Sequence, residues 1–210
     1  MEYTKIPNIF KREEFGKNKM IEGEYSTPEL EYLADNKWLW TEKVDGTNIR
    51  VMWDGHVVSF GGRTERAQIP SHLVNKLNEL FGGTNKEEIF EQKFGETPVI
   101  LFGEGFGEKI QNGGGKYGHV NFILFDVFCG GMWLKRIDVF DIAQTFGISC
   151  VPLVGEGTLK EAVEYIRKHP KSYLKDDAME GVVCRPVHEL ADRRGNRIIV
   201  KVKCRDFDKL

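Results

Sequence analysis

What the chain of 210 residues most plainly lacks is paired cysteines. Its four, Cys129, Cys150, Cys184 and Cys204, stand far apart, with no Cys-x-x-Cys and no histidine at ligand spacing. A zinc module and a disulfide framework are therefore not expected, and a reducing compartment is the default. No apolar run approaches the roughly 20 residues that span a bilayer. The N-terminal sequence Met-Glu-Tyr-Thr-Lys-Ile-Pro also lacks the charged-then-apolar order of a secretory leader, so the expectation is a cytoplasmic protein with no membrane contact. Charge of one sign is missing too: the formal net charge is -2, which gives no general attraction for polyanions. Contact with nucleic acid would need a local basic patch, and residues 193–205 offer one, with Arg193, Arg194, Arg197, Lys201, Lys203 and Arg205 and no acidic residue among them. Solvated basic faces are commoner than binding patches, so this is modest support.

What is present suits one globular domain over residues 1–210. Apolar residues make up 40% and charged residues 30%, and fourteen Phe, six Tyr and four Trp supply a core. Residues 1 to about 37 read as an irregular lead-in with one helix near residues 27–33, where Thr27 suits the cap and Pro28 the first turn. Trp38 to Glu42 reads as a strand. Ile49, Val51 and Trp53 alternate toward Asp54-Gly55, a hairpin signal leading into residues 56–60. Gly61-Gly62-Arg63 reads as a loop. Leu73, Leu77, Leu80 and Phe81 have helical spacing, and Thr84 with Glu87 suggests a capping box for the next helix, ending near Gly95. Strands follow at residues 99–102 and 121–128. Ile137, Phe140 and Phe146, with Val139 and Ala143, suggest an amphipathic helix closed by Gly147, and Thr158 with Glu161 caps another. The last strands fall at residues 181–185 and 197–203, around a polar turn. Helices covering antiparallel sheets make this an α+β fold.

The glycine-rich stretches fail two familiar tests. In residues 110–118 Tyr117 stands where a Walker A loop needs Ser or Thr, and Ile110 where it needs Gly. Gly103-x-Gly105 lacks the third glycine of a dinucleotide fingerprint.

Chemistry concentrates at Lys43, which follows an aromatic strand and precedes Asp45-Gly46. A lysine there is held by rigid backbone and can serve as a nucleophile, given surroundings that destabilise its ammonium form. Attack on phosphorus would give a lysyl phosphoramidate and split one difficult transfer into two easier ones. Lys-x-Asp-Gly alone arises by chance in roughly one chain of this length in twenty, so on those letters a surface lysine beside a turn is the better reading. Lys201 and Lys203, two apart on a strand, project from one face about 7 Å apart. They read either as protection of an edge strand or as a clamp for polyphosphate. Glu104 and Glu180 each border an apolar strand beside glycine, where a carboxylate can end a strand or bind a ribose hydroxyl or a hard cation. Phe125-Asp126 offers a stacking face followed by an acid that needs a partner if buried.

Taken in order, Lys43-x-Asp45-Gly46, Arg63, Glu104, Phe125-Asp126, Glu180-Gly181-Val182-Val183 and Lys201-x-Lys203 resemble the motif series of the covalent nucleotidyltransferase superfamily of polynucleotide ligases and mRNA capping enzymes. The resemblance runs from about residue 38 to 203. Gly46-Thr47-Asn48, in place of an arginine at position 48, is similar to the RNA ligases that seal nicked duplex RNA. Residues 103–107 and 109–115 also look like that group. The resemblance implies a ligase-type adenylation domain using ATP with magnesium or manganese. In it Lys43 takes AMP and Glu42 lies near the adenine amine. Asn48 lies near the α-phosphate or the incoming ends, and Arg63 on phosphate or ribose. Glu104 holds the ribose, Phe125 stacks on adenine, Glu180 supports the metal-dependent steps, and Lys201 and Lys203 hold the phosphates. AMP would then pass to an RNA 5′-phosphate, which a 3′-hydroxyl seals. Relatives usually add a C-terminal domain and this sequence shows none, which leaves a place for a protein partner. DNA sealing, GTP-dependent capping and a non-catalytic nucleic-acid-binding module are the alternatives.

Overall fold

The computed structural model describes residues 1–15, 18–111 and 113–208, so Asn112 of the glycine-rich motif lies outside the described residues. The chain divides into two compact units, one formed by Lys5–Lys43 and Pro152–Leu210 and the other by Met1–Thr4 and Val44–Val151. Both are α+β, with antiparallel sheets backed by helices, as expected.

In the unit that carries Lys43, β1 (Phe10–Arg12) pairs with β2 (Met20–Tyr25), followed by α1 (Pro28–Tyr32) and β3 (Trp38–Glu42). The β1–β2 hairpin lies where the sequence suggested an irregular lead-in. Thr27 caps α1 by accepting a bond from the Leu30 amide at 3.4 Å.

The same unit continues with β10 (Leu153–Gly157), α5 (Leu159–Arg167), β11 (Gly181–Pro186) and β12 (Val200–Lys203). Its four-stranded sheet has the order β10-β3-β11-β12, and all pairings are antiparallel. The expected capping box at Thr158 and Glu161 is formed. Leu159, Ala162, Val163 and Ile166 of α5 share one core with Trp38, Trp40, Val182, Val200 and Val202. The strand read over residues 197–203 is shorter in the structure, because Arg197 bridges to Ala191 in a small separate turn and pairing with β11 begins at Val200.

The other unit contains β4 (Thr47–Trp53), β5 (Val58–Gly62), α2 (Ser71–Phe81), α3 (Thr84–Phe94), β6 (Val99–Phe106), β7 (Asn121–Cys129), β8 (Met132–Trp133), α4 (Arg136–Phe146) and β9 (Ser149–Cys150). The sheet order is β5-β4-β6-β7-β8, with β9 parallel to β7. The β4–β5 connection is a four-residue loop in which the Asp54 carboxylate accepts from the amides of His56 and Val57, both at 2.9 Å. Leu73, Leu77 and Phe81 of α2, Phe90 of α3 and Val139, Ile142 and Phe146 of α4 fill one face of the sheet.

Three local expectations are corrected here. Gly61 and Gly62 belong to β5 rather than to a loop. Helix α3 has Gly83 at its cap and no capping box, since Glu87 instead accepts from the Val58 amide at 3.2 Å. On α4 the apolar face runs through Val139, Ile142, Ala143 and Phe146, which leaves Ile137 and Phe140 exposed.

Candidate active site

Strand register decides which side chains share a face. Opposite partners project to the same side, so Glu42, Val182 and Val202 form one row and Thr41, Val183 and Lys201 the next. The first row faces the α5 core. The second row, together with Lys203 opposite Gly181, faces away from it. Lys43 follows directly after β3, and its amide donates to the Gly181 carbonyl at 2.9 Å.

On the side away from α5, the Lys43 Nζ lies 2.6 Å from one oxygen of Glu180, and the Lys203 Nζ lies 2.9 Å from the other. One carboxylate thus bridges two ammonium groups that are 160 residues apart in sequence, all three side chains being largely buried. Glu180 can make this bridge because residue 181 is glycine. A Cβ there would fall 2.1 Å from the Val202 carbonyl oxygen and force β12 away. Burial pushes the Glu180 carboxyl up, but the ammonium groups of Lys43 and Lys203 outweigh it and the net shift is downward.

Lys201 completes the cluster. Burial, then the charges of Lys203, Lys43 and Lys5, push its amine down to about 8, against the pull of Glu180. The edge-protection reading of these lysines fails, because the outer edge of β12 is covered. The Lys201 amide donates to the Pro7 carbonyl at 3.0 Å, and its carbonyl accepts from Ile9 at 3.1 Å. Several cations gathered around one acid form a site that an added anion would stabilise.

Glu42 does not join this cluster. It is 1% exposed and lies on the α5 side, where its carboxylate accepts from the Ser172 hydroxyl and, at 2.9 Å, from the Tyr173 amide. The Ser172 oxygen in turn accepts from the amides of Leu174 and Lys175, so Glu42 anchors the turn at 172–175. Ser172 carried no signal in the sequence, since a serine in a polar stretch is ordinary.

The remaining candidates belong to the other unit. Asn48 and Glu104 are direct cross-strand partners on β4 and β6, and the Asn48 Oδ1 is buried with no hydrogen-bond partner among the described residues. A buried acceptor of this kind is costly unless a ligand donates to it. The preceding Gly46 is a close-approach position, because a Cβ would lie 2.2 Å from the Gly105 carbonyl oxygen. Phe125 falls in a β-bulge: Phe102 pairs with Asp126 and Gly103 with Leu124, which leaves Phe125 opposite neither. The bulge switches the alternation of β7, so Phe122, Leu124 and Val127 all reach the helix-covered core. Asp126, fully buried, accepts from the Tyr3 hydroxyl at 2.7 Å.

Arg63 is exposed just beyond β5. The adjacent backbone is held by Arg50, an arginine with no sequence signal to single it out. Arg50 is 1% exposed, donates to the Gly62 carbonyl at 2.7 Å, and pairs with Glu65 at 2.7 Å. Among the described residues no three His, Cys, Asp or Glu side chains gather as a metal site, and no helix is long and apolar enough to cross a membrane. The four cysteines are free thiols.

Solved structures share this fold. The RNA ligase of Naegleria gruberi, in a lysine-to-methionine variant with AMP and manganese, superposes with a TM-score of 0.63 at 18% identity, covering 84% of this chain and 52% of its own. Its form with pyrophosphate gives 0.63 at 21% identity, with 84% and 52% covered. A lysine-to-alanine variant with ATP and manganese gives 0.63 at 18%, with 97% and 60% covered. The chain therefore spans between about half and three-fifths of the length of these structures. No curated protein sequence matches it. The family model described as RNA ligase matches residues 36–203, a span that holds the Lys43–Glu180–Lys203 bridge, Lys201 and the Asn48–Glu104 pair, and on that match the chain belongs to the RNA ligase family.

Proposed function

We propose that the protein is an ATP-dependent RNA ligase that works through a lysyl-AMP intermediate on Lys43. The observation that carries this reading is the carboxylate of Glu180 bridging Lys43 and Lys203, with Lys201 beside them on one face of the sheet. A cationic cluster around a nucleophilic amine suits a triphosphate, whose α-phosphorus Lys43 would attack.

The first step forms the bond from the Lys43 nitrogen to phosphorus and breaks the bond from the α-phosphorus to the bridging oxygen, so that pyrophosphate leaves. Attack needs an unshared pair on the nitrogen, so Lys43 must first give up a proton, which the adjoining Glu180 carboxylate can take and release to solvent. Lys201 and Lys203 stabilise the charge that builds on the phosphate oxygens and on the departing pyrophosphate. In the second step an oxygen of an RNA 5′-phosphate attacks the phosphorus held on Lys43, breaking the phosphorus–nitrogen bond and returning Lys43 as the amine. In the third the RNA 3′-hydroxyl attacks that phosphate, seals the strand and releases AMP.

A divalent cation fits these residues as an ion shared with the nucleotide, since magnesium commonly uses one or two carboxylates together with substrate phosphates. Glu180 is the carboxylate of the cluster that would hold it. When bound, the metal neutralises phosphate charge and helps pyrophosphate leave. The ATP and manganese of the Naegleria gruberi structures support this pairing of nucleotide and metal. Glu104 and Asn48 are proposed for the ribose and α-phosphate, Arg63 for phosphate, and Phe125 for the adenine ring. Glu42 enters through the turn it anchors, which we propose lies near the adenine amine. The single adenylation domain expected from the sequence is kept as part of this proposal.

The test is incubation with ATP labelled at the α-phosphate, with magnesium or manganese, followed by denaturing electrophoresis. Label should stay on the polypeptide, should vanish with Lys43→Met, and should be released as ATP on adding pyrophosphate. No label with either metal at neutral or mildly alkaline pH would sink the proposal. Supplying nicked RNA, nicked DNA or GTP then separates RNA sealing from DNA sealing and capping.

A further inference from the structure

Tyr3 lies against the bulge that contains Phe125. The bulge takes Phe125 out of the ladder, so strand pairing does not hold its side chain. Tyr3 packs edge-on against the Phe125 ring, with centroids 5.2 Å apart and an interplanar angle of 71°. The Tyr3 ring is itself fixed between Phe102 at 5.0 Å and Trp133 at 5.7 Å. Its hydroxyl donates to Asp126 at 2.7 Å, beside the bulged residue.

Each contact constrains Tyr3 in a different way. The rings of Phe102 and Trp133 pack against its ring, and the hydrogen bond to Asp126 ties down its hydroxyl end. A carboxylate as buried as Asp126 requires a donor, so the bond will not be given up to solvent. An aromatic side chain in a bulge, packed along one edge against a ring held by these contacts, has less freedom to lose when a ligand arrives. Such preorganisation lowers the cost of binding.

We propose that Tyr3 is a positioning residue for the nucleobase: bonded to Asp126 and packed on the edge of Phe125, it holds that ring in the orientation that stacks on adenine. This rests on the reading that Phe125 is the adenine platform. Tyr3 needs no contact with the nucleotide, and acts through Phe125 alone.

The experiment measures Lys43 adenylylation in single turnover as a function of ATP concentration, and the reverse reaction as a function of pyrophosphate concentration. It uses wild type, Tyr3→Phe, Phe125→Ala and the double variant, each with a thermal melt. Tyr3→Phe keeps the ring and removes the hydroxyl. It should raise the half-saturating ATP concentration by about two- to tenfold, the range expected when one side chain must be immobilised on binding. The rate at saturating ATP and the half-saturating pyrophosphate concentration should not change, since pyrophosphate carries no base. In the Phe125→Ala background the same substitution should have no further effect.

Equal shifts for ATP and pyrophosphate, a full effect in the Phe125→Ala background, or no effect at all would each overturn the proposal. If Phe125→Ala itself leaves ATP saturation unchanged, it is the stacking reading that fails. Should Tyr3→Phe not fold, Asp126→Asn decides, because its amide oxygen still accepts from the phenol. Wild-type ATP saturation in that variant supports the proposal, and a weakened one at an unchanged melting temperature overturns it.

Discussion

In the unit that carries Lys43, the sheet face turned away from α5 holds three lysines and the bridging Glu180. In the other unit, the face turned away from α2, α3 and α4 holds Asn48, Glu104, the buried Asp126 and the ring of Phe125 braced by Tyr3. Both sheets are built alike, with one face filled by helix side chains, yet one leaves charge on its second face and the other leaves aromatic surface and hydrogen-bond acceptors. On the proposed function, the ammonium groups would act on charge that grows as phosphorus is attacked, whereas the Phe125 ring and Glu104 would act on a base and a sugar that hardly change during the reaction. Substitutions at Lys43, Lys201 and Lys203 should therefore lower the rate at saturating ATP, and those at Phe125 and Glu104 should weaken ATP binding.

The largest expected effect is that of Lys43→Met, which removes the nucleophile and should abolish labelling by ATP while leaving ATP binding, followed by calorimetry, measurable. Lys203→Ala comes next, with a fall of about 100-fold in the single-turnover rate, typical of losing one donor to developing charge. A comparable loss from Phe125→Ala at saturating ATP would erase the proposed division between the lysine cluster and the Phe125 platform. Phe125→Ala should instead raise the half-saturating ATP concentration by roughly tenfold, in line with about 1–3 kcal/mol for stacking a base on an aromatic ring.

Stability against pH sharpens the same contrast, because strongly coupled charges belong to the lysine-bearing unit. The Glu180 carboxyl is held below its usual range in the folded protein, so its contribution is present at neutral pH and is lost as pH falls through that lowered value. Urea melts of wild type and Glu180→Gln should show the wild type losing more stability between pH 7 and acid. Lys201 has the opposite sense. Its amine is pushed down to about 8 from 10.5, so the folded state binds the proton less well than the unfolded chain, and stability should rise between those pH values. Lys201→Met should be more stable than wild type at pH 7 and lose that advantage by about pH 10.5. The smallest effect belongs to neither site: Thr158→Ala removes the cap of α5 and should cost about 1 kcal/mol in a chemical melt.

How much was legible varied with how local the cause was. Helices α1, α2 and α5 and strands β3, β4 and β11 followed from caps and from periods of 3.6 and 2, which are properties of neighbouring residues. The false capping box at Thr84 failed because Glu87 found a partner in the amide of Val58, a residue 29 positions away. The strand expected from residue 197 was shortened for a similar reason, since Arg197 is turned to Glu189 at 2.7 Å. That pairing also takes Arg197 out of the basic patch read over residues 193–205. Phe125 and Asp126 stood out by residue type, but the bulge that orients them depends on the register of β6 against β7.

By itself, the sequence determined the class of fold and an ordered set of chemically apt residues, because residue type and spacing along one chain are local quantities. Only the tertiary structure decided which of those residues meet. It brought Glu180 between Lys43 and Lys203, turned Glu42 to the opposite face, and supplied Tyr3 as the partner of Asp126. The physical reason is that strand register and sheet order bring together side chains more than 100 residues apart, and a shift of one residue in a strand would reverse every assignment of face.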